Sequence, residues 1–184
     1  MKRALLIVLA GASLASCATE GPSGPVPPPP PPPPSEQPPP NPNAFRPQDF
    51  AWSTVPGHAS LQGIMAYKVG KVRYTCQGSD VILTPETPWS RRRMTVLYGS
   101  AVSASVPVST VRARTPSAPS GDYAAFVRKA TCDASSRFSF AGLPDGGWYV
   151  ITLAKPMGPP GAGEAVAVMR RVETHGGAAA VLLN

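Results

Sequence analysis

Few residues in this chain have side chains suited to chemistry. They are three cysteines (Cys17, Cys76 and Cys132), two histidines (His58 and His175), and an indole followed by a cationic run, Trp89-Ser90-Arg91-Arg92-Arg93. A thiol can take a thioether, a disulfide or a metal, depending on its surroundings. The run Arg91, Arg92 and Arg93 beside Trp89 suits an anionic lipid or a polysaccharide, with the indole stacked on a sugar face. The same residues also make an ordinary solvated basic loop. Trp148 is a second indole that could meet a glycan. His58 follows Pro-Gly and His175 precedes Gly-Gly, so both are expected in exposed loops. Two isolated histidines make no zinc site by themselves.

Catalytic signatures are missing from the chain. It has no Gly-x-Ser-x-Gly elbow and no phosphate-cradling glycine loop. Its 10 acids are few and dispersed, which argues against a paired-carboxylate glycosidase. The reading is a non-enzyme with no cofactor and no metal; the alternative is a hydrolase with an unrecognised site whose triad is scattered along the chain.

The elements that would position these groups begin with the head of the chain. Met1-Lys2-Arg3 is a basic start, and Ala4 to Leu14 is an uncharged, mostly apolar run. That run falls short of the roughly 20 apolar residues a membrane-spanning helix needs, and matches the core of a signal peptide. It ends in Leu14-Ala15-Ser16-Cys17, which resembles the lipobox of bacterial lipoproteins. The resemblance implies a diacylglycerol thioether on Cys17, cleavage before it, and often a third acyl chain on the new amino group. Such chains anchor firmly, at about 0.8 kcal/mol per buried methylene. Ala18 rather than Asp follows the cysteine. By analogy with Gram-negative lipoproteins, this implies the outer membrane, facing the periplasm.

From Pro22 to Pro42, 14 of 21 residues are proline, eight of them consecutive. Proline lacks an amide donor and fixes φ, so helix and sheet are excluded there. A polyproline II spacer of about 65 Å is expected if fully extended. The expected domains are therefore 1–16, signal peptide; 17–44, lipidated cysteine and linker; and 45–184, a folded body.

With Cys17 assigned to lipid, Cys76 and Cys132 remain as an even pair in an oxidising compartment. A disulfide is the favoured reading. Two buried thiols and a redox pair are the alternatives, and the absence of Cys-x-x-Cys weighs against the latter.

The body reads as all-β. Short, β-branched apolar runs alternate with breaks rich in Gly, Pro, Ser and Asp. Expected strands are 60–67, 71–76, 80–84, 95–98, 125–132, 137–140, 148–154, 165–172 and 178–183. Phe138 and Phe140 share one face by their spacing and should point inward. Residues 100–120 read as a long connection with room for one irregular strand, and 121–129 leaves room for a short helix. No longer helical segment is expected.

The stretch from Cys132 to Val150, CDASSRFSFAGLPDGGWYV, resembles the signature of carboxypeptidase regulatory-like domains, a prealbumin-like (transthyretin-like) group. Ser136 stands where that signature has glycine, and Gly147-Trp148 adds a residue before Tyr149. Leu61-Gln62-Gly63-Ile64 and Val81 to Pro85 are similar to the group's opening strands. The resemblance implies a single Greek-key β-sandwich that binds or scaffolds.

After loss of residues 1–16 the chain carries 15 − 10 = +5 charges. This is a mild excess suited to anionic lipid or acidic polymers. The basic residues are scattered and carry no nucleic-acid-binding motif, so nucleic acid is not expected as a partner. The expected partners are membrane lipid through Cys17 and an envelope protein or polysaccharide.

Overall fold

In a computed structural model, the residues described are 41, 44–159 and 163–184. All belong to one compact unit, Pro39–Asn184. Cys17, the apolar run and nearly all of the proline tract lie outside the described residues.

The described chain is mostly β, 44% strand against 23% helix. Two sheets form. The small sheet contains β1 (Ala59–Met65), β7 (Arg137–Leu143) and β10 (Ala178–Leu183). Its order is β10-β1-β7, with β1 parallel to β10 and antiparallel to β7. The large sheet contains β2 (Lys68–Val69), β3 (Val72–Thr75), β4 (Asp80–Pro85), β5 (Ser103–Pro107), β6 (Arg128–Thr131), β8 (Gly146–Pro156) and β9 (Val166–Thr174). The 11-residue β8 is its spine. It pairs with β9 along one edge, and with β4 and then β3 along the other. β6 extends the sheet beyond β4, and β5 beyond β9.

The two sheets enclose one core. Leu61, Phe138, Phe140 and Leu183 from the small sheet meet Val81, Leu83, Trp148 and Val150 from the large one. The inward placement of Phe138 and Phe140 agrees with their alternation. Gly63 on β1 leaves room for the ring of Phe138, its partner on β7, which a Cβ there would strike.

Cys76 and Cys132 form a disulfide, with Cα atoms 5.7 Å apart and a sequence separation of 56. It ties the turn after β3 to the end of β6. Restricting so long a loop in the unfolded chain stabilises by about 3–5 kcal/mol. The next turn is held by Asp133, whose carboxylate accepts from the amides of Ser135 and Arg137, both at 2.8 Å. Ser136 has φ +58°, the left-handed conformation that glycine adopts at no cost. Its hydroxyl bonds that of Thr75 at 3.0 Å, a tie glycine cannot make.

Two sequence expectations need correction, and both concern residues 86–120. Residues 95–98 are not a strand but the last turn of helix α1 (Pro88–Tyr98). The long connection 100–120 contains β5, helix α2 (Val108–Arg114) and a 3-10 turn, Thr115–Ser117. The short helix considered in 121–129 is a single 3-10 turn, Ala124–Phe126. The body is therefore not all-β.

Local chemistry explains α1. Thr87 caps it: its hydroxyl accepts from the Ser90 amide at 3.0 Å, and the Ser90 hydroxyl accepts from the Thr87 amide at 2.8 Å. Pro88 occupies the first turn, and Gly99 ends the helix with φ +77°. Together α1 and α2 form a third layer over the outer face of the large sheet. Met94, Leu97 and Tyr98 pack there on Tyr149, Ala167 and Met169. This layer is why β9 is buried on both faces from Val166 to Met169, which hides its strand alternation.

Candidate functional site

The indole and arginines singled out by the sequence lie on α1, not in a loop. Successive helical residues point about 100° apart, so three consecutive arginines cannot share a face. Arg91 bonds Glu86 at 2.7 Å. Arg93 donates to the Pro119 carbonyl at 2.6 Å, and its guanidinium lies 5.6 Å from the Trp89 ring centre and 5.4 Å from that of Tyr123. Arg92 alone of the three makes no hydrogen bond or ion pair among the described residues.

Trp89 is fully buried. Its ring nitrogen donates to the Ser120 carbonyl at 3.2 Å, and its ring packs against Phe45, Phe50 and Tyr123. Trp148 is equally buried, donating to the Thr174 hydroxyl at 3.2 Å and packing edge-on against Trp52. Neither indole can stack on a sugar, which corrects that expectation for both. Trp148 is hidden because it points into the core between the two sheets, and Trp89 because α1 turns it inward. That turn gives Trp89 an aromatic pocket, where burying about 200 Å² of ring surface outweighs exposure.

Glu86 organises the side of the sheet beneath α1. Its nearly buried carboxylate pairs with Arg91 on one oxygen and with Arg171 on the other, each at 2.7 Å. The Tyr149 hydroxyl donates to it at 3.4 Å. Burial first, and then the Glu86 charge, push the Tyr149 phenol up to about 12. Arg171 also holds Glu173, lowering that carboxyl through their hydrogen bond. Both Glu86 carboxylate oxygens are thus engaged within the protein.

His58 and His175 lie in exposed loops, with His175 3.4 Å from Glu173. Among the described residues, no three of His, Cys, Asp and Glu gather to hold a metal.

Sequence reasoning missed a different surface. The helices cover only part of the outer face of the large sheet. Beyond α1 that face stays open, and two hollows lie on it, of about 570 Å³ and 350 Å³. They meet at Ile82, whose neighbours Val81 and Leu83 point into the core between the sheets. Ile82 is in register with Ile151 on one side and Lys129 on the other. Ile151 and Leu153 continue the apolar floor, with Leu153 42% exposed. The larger hollow runs under α2, beside Val111 and Arg112. The smaller is walled by the half-buried ring of Tyr123.

Polar groups on this face are unusually free. Eight carboxylates occur in residues 44–184. Six have a partner: Asp49, Glu86 and Glu173 pair with arginine, and Asp133, Asp145 and Glu164 accept from backbone amides. The other two, Asp80 and Asp122, have none among the described residues, and both line the hollows. Ser79 and Tyr98 line the larger hollow and are 6% and 8% exposed. The Ser79 hydroxyl is buried without a hydrogen-bond partner. The Tyr98 hydroxyl makes no hydrogen bond either. Burial, and secondarily Tyr123, push its phenol up to about 12, so it remains a neutral donor at physiological pH. An apolar floor with a few unsatisfied donors and acceptors is the usual make-up of a small-ligand site. No spacing in the sequence signals it, because its residues come from six separated segments.

The chain matches no protein-family model and no curated protein. Among solved structures it is similar to that of a candidate carbohydrate-binding protein from Pseudomonas aeruginosa. The TM-score is 0.56 and the identity 20%, over 76% of this chain and 96% of that one. At that identity the likeness is one of fold.

Proposed function

We propose that this protein is a lipid-anchored lipoprotein of the cell envelope whose prealbumin-like Greek-key body is a non-catalytic glycan-binding module. The observation that carries the binding reading is the open outer face. It is an apolar strip flanked by hydroxyls and carboxylates that have no partner among the described residues. Groups of this kind suit a polyhydroxylated ligand, whose ring faces are apolar and whose rim donates and accepts hydrogen bonds. The fold likeness to a candidate carbohydrate-binding protein supports the same reading. The anchoring part rests on the basic start, the apolar run and Leu14-Ala15-Ser16-Cys17.

Two measurements test the halves separately. Cys17→Ser should abolish incorporation of labelled fatty acid and release the protein from the membrane pellet. Persistence of both label and pelleting would refute acylation at Cys17. Purified protein applied to a glycan array should retain glycans, and an array blank for every sugar class would refute the binding module.

A further inference from the structure

Resting on the glycan-binding reading, we infer that the ligand is a neutral, hydroxyl-rich glycan chain. It lies across both hollows, stacked on Tyr123 and bonded by Asp80, Asp122, Ser79 and Tyr98. The argument starts from charge. The protein is basic as a whole, so a site for an acidic polymer would be expected to be free of carboxylates. Yet the only two unpartnered carboxylates among the described residues stand on this face. An unpaired carboxylate repels an anionic sugar and accepts strongly from sugar hydroxyls. Arg112, Lys129 and Lys155 flank them, which leaves the face nearly balanced.

The donors complement these acceptors. Ser79 and Tyr98 are both more than nine-tenths buried, and neither hydroxyl has a partner among the described residues; that of Ser79 is itself buried. A buried hydroxyl left unpaired costs free energy, and a ligand oxygen would recover it. Tyr98 lines the larger hollow and Tyr123 the smaller. Tyr123 offers ring surface, and Ile82, Ile151 and Leu153 offer apolar contact between the two polar ends. Because the hollows share Ile82, one chain of several sugar units can occupy both.

The test uses the full-length protein in detergent and affinity electrophoresis through gels containing a neutral glucan, galactan or mannan, or alginate or hyaluronate. The expected result is retardation by at least one neutral polymer, little changed between about 0.05 and 0.5 M salt. Asp122→Ala and Leu153→Ser alter exposed side chains and should each keep the native circular dichroism. Asp122→Ala should weaken neutral binding about tenfold, by loss of a charged hydrogen bond. Retardation by alginate or hyaluronate alone, abolished by salt and reduced by Arg92→Ala, would overturn the neutral-glycan inference while leaving glycan binding intact. Neutral binding unaffected by both open-face variants would overturn its location. No retardation by any polymer would sink the glycan-binding reading itself.

Discussion

The outer face of the large sheet has two halves, built on the same strands, that differ in what covers them. Beneath α1, each polar group on the face has an internal partner: Glu86 with two arginines and Tyr149, Arg93 with Pro119. From the last residue of α1 onward, where α2 leaves the sheet partly bare, Tyr98, Asp80, Asp122 and Ser79 have no such partners among the described residues. The first half contains the conspicuous sequence run, and there Trp89, Arg91 and Arg93 are engaged within the protein. The second half is inconspicuous in sequence and holds the free hydrogen-bonding capacity. A striking local composition marks where a chain is held together as readily as where it binds.

The largest effect should come from the covered half. Trp89→Ala removes a fully buried indole from the Phe45–Phe50–Tyr123 cluster and should destabilise by about 3–5 kcal/mol in chemical denaturation. An unchanged denaturation midpoint would mean that α1 does not depend on that cluster. Glu86→Gln comes next. It leaves Arg171 with half its partners and should cost about 1–2 kcal/mol, because Arg91 is largely exposed and water screens its share.

Tyr98 and Tyr149 stand on either side of the boundary, and both phenols are raised from 10.0 to about 12. Unfolded tyrosines lose their protons first, so the stability these two contribute is intact below pH 10. It falls as pH rises from 10 through 12. Tyrosinate absorbance should show two phenols titrating late in native protein and normally in denaturant. Coincident titrations would remove the physical argument for both buried rings.

The smallest stability effect should come from the open half. Leu153→Ser changes a side chain that is 42% exposed and should shift stability by no more than about 0.5 kcal/mol. A cost as large as that of Trp89→Ala would show the open face to be packed rather than free, and the contrast between the halves would collapse.

Much of the β-structure was legible in advance because its causes are local. Alternation placed Phe138 and Phe140 in the core, and turn-forming residues separated the strands. The Cys76–Cys132 pair followed from an even count once Cys17 was assigned to lipid. The signal for α1 was also present, as Thr87-Pro88 with Ser90 at one end and Gly99 at the other. The β-branched and aromatic residues at 95–98 and the run of arginines obscured it. β5 and α2 carried no comparable signal. β5 is a short edge strand, and α2 has no side-chain cap.

The sequence by itself determined most of the strand-forming segments outside residues 86–127 and the inward faces of Phe138 and Phe140, because each depends on a few neighbouring residues. Tertiary structure alone decided that Trp89 and Trp148 are hidden, that Arg91 and Arg93 are engaged, and that Asp80 and Asp122 are free. Those outcomes turn on which distant segment covers which part of the large sheet. A side chain's partners across 30 or more residues, as between Trp89 and Ser120, are fixed by register and layer packing rather than by local spacing.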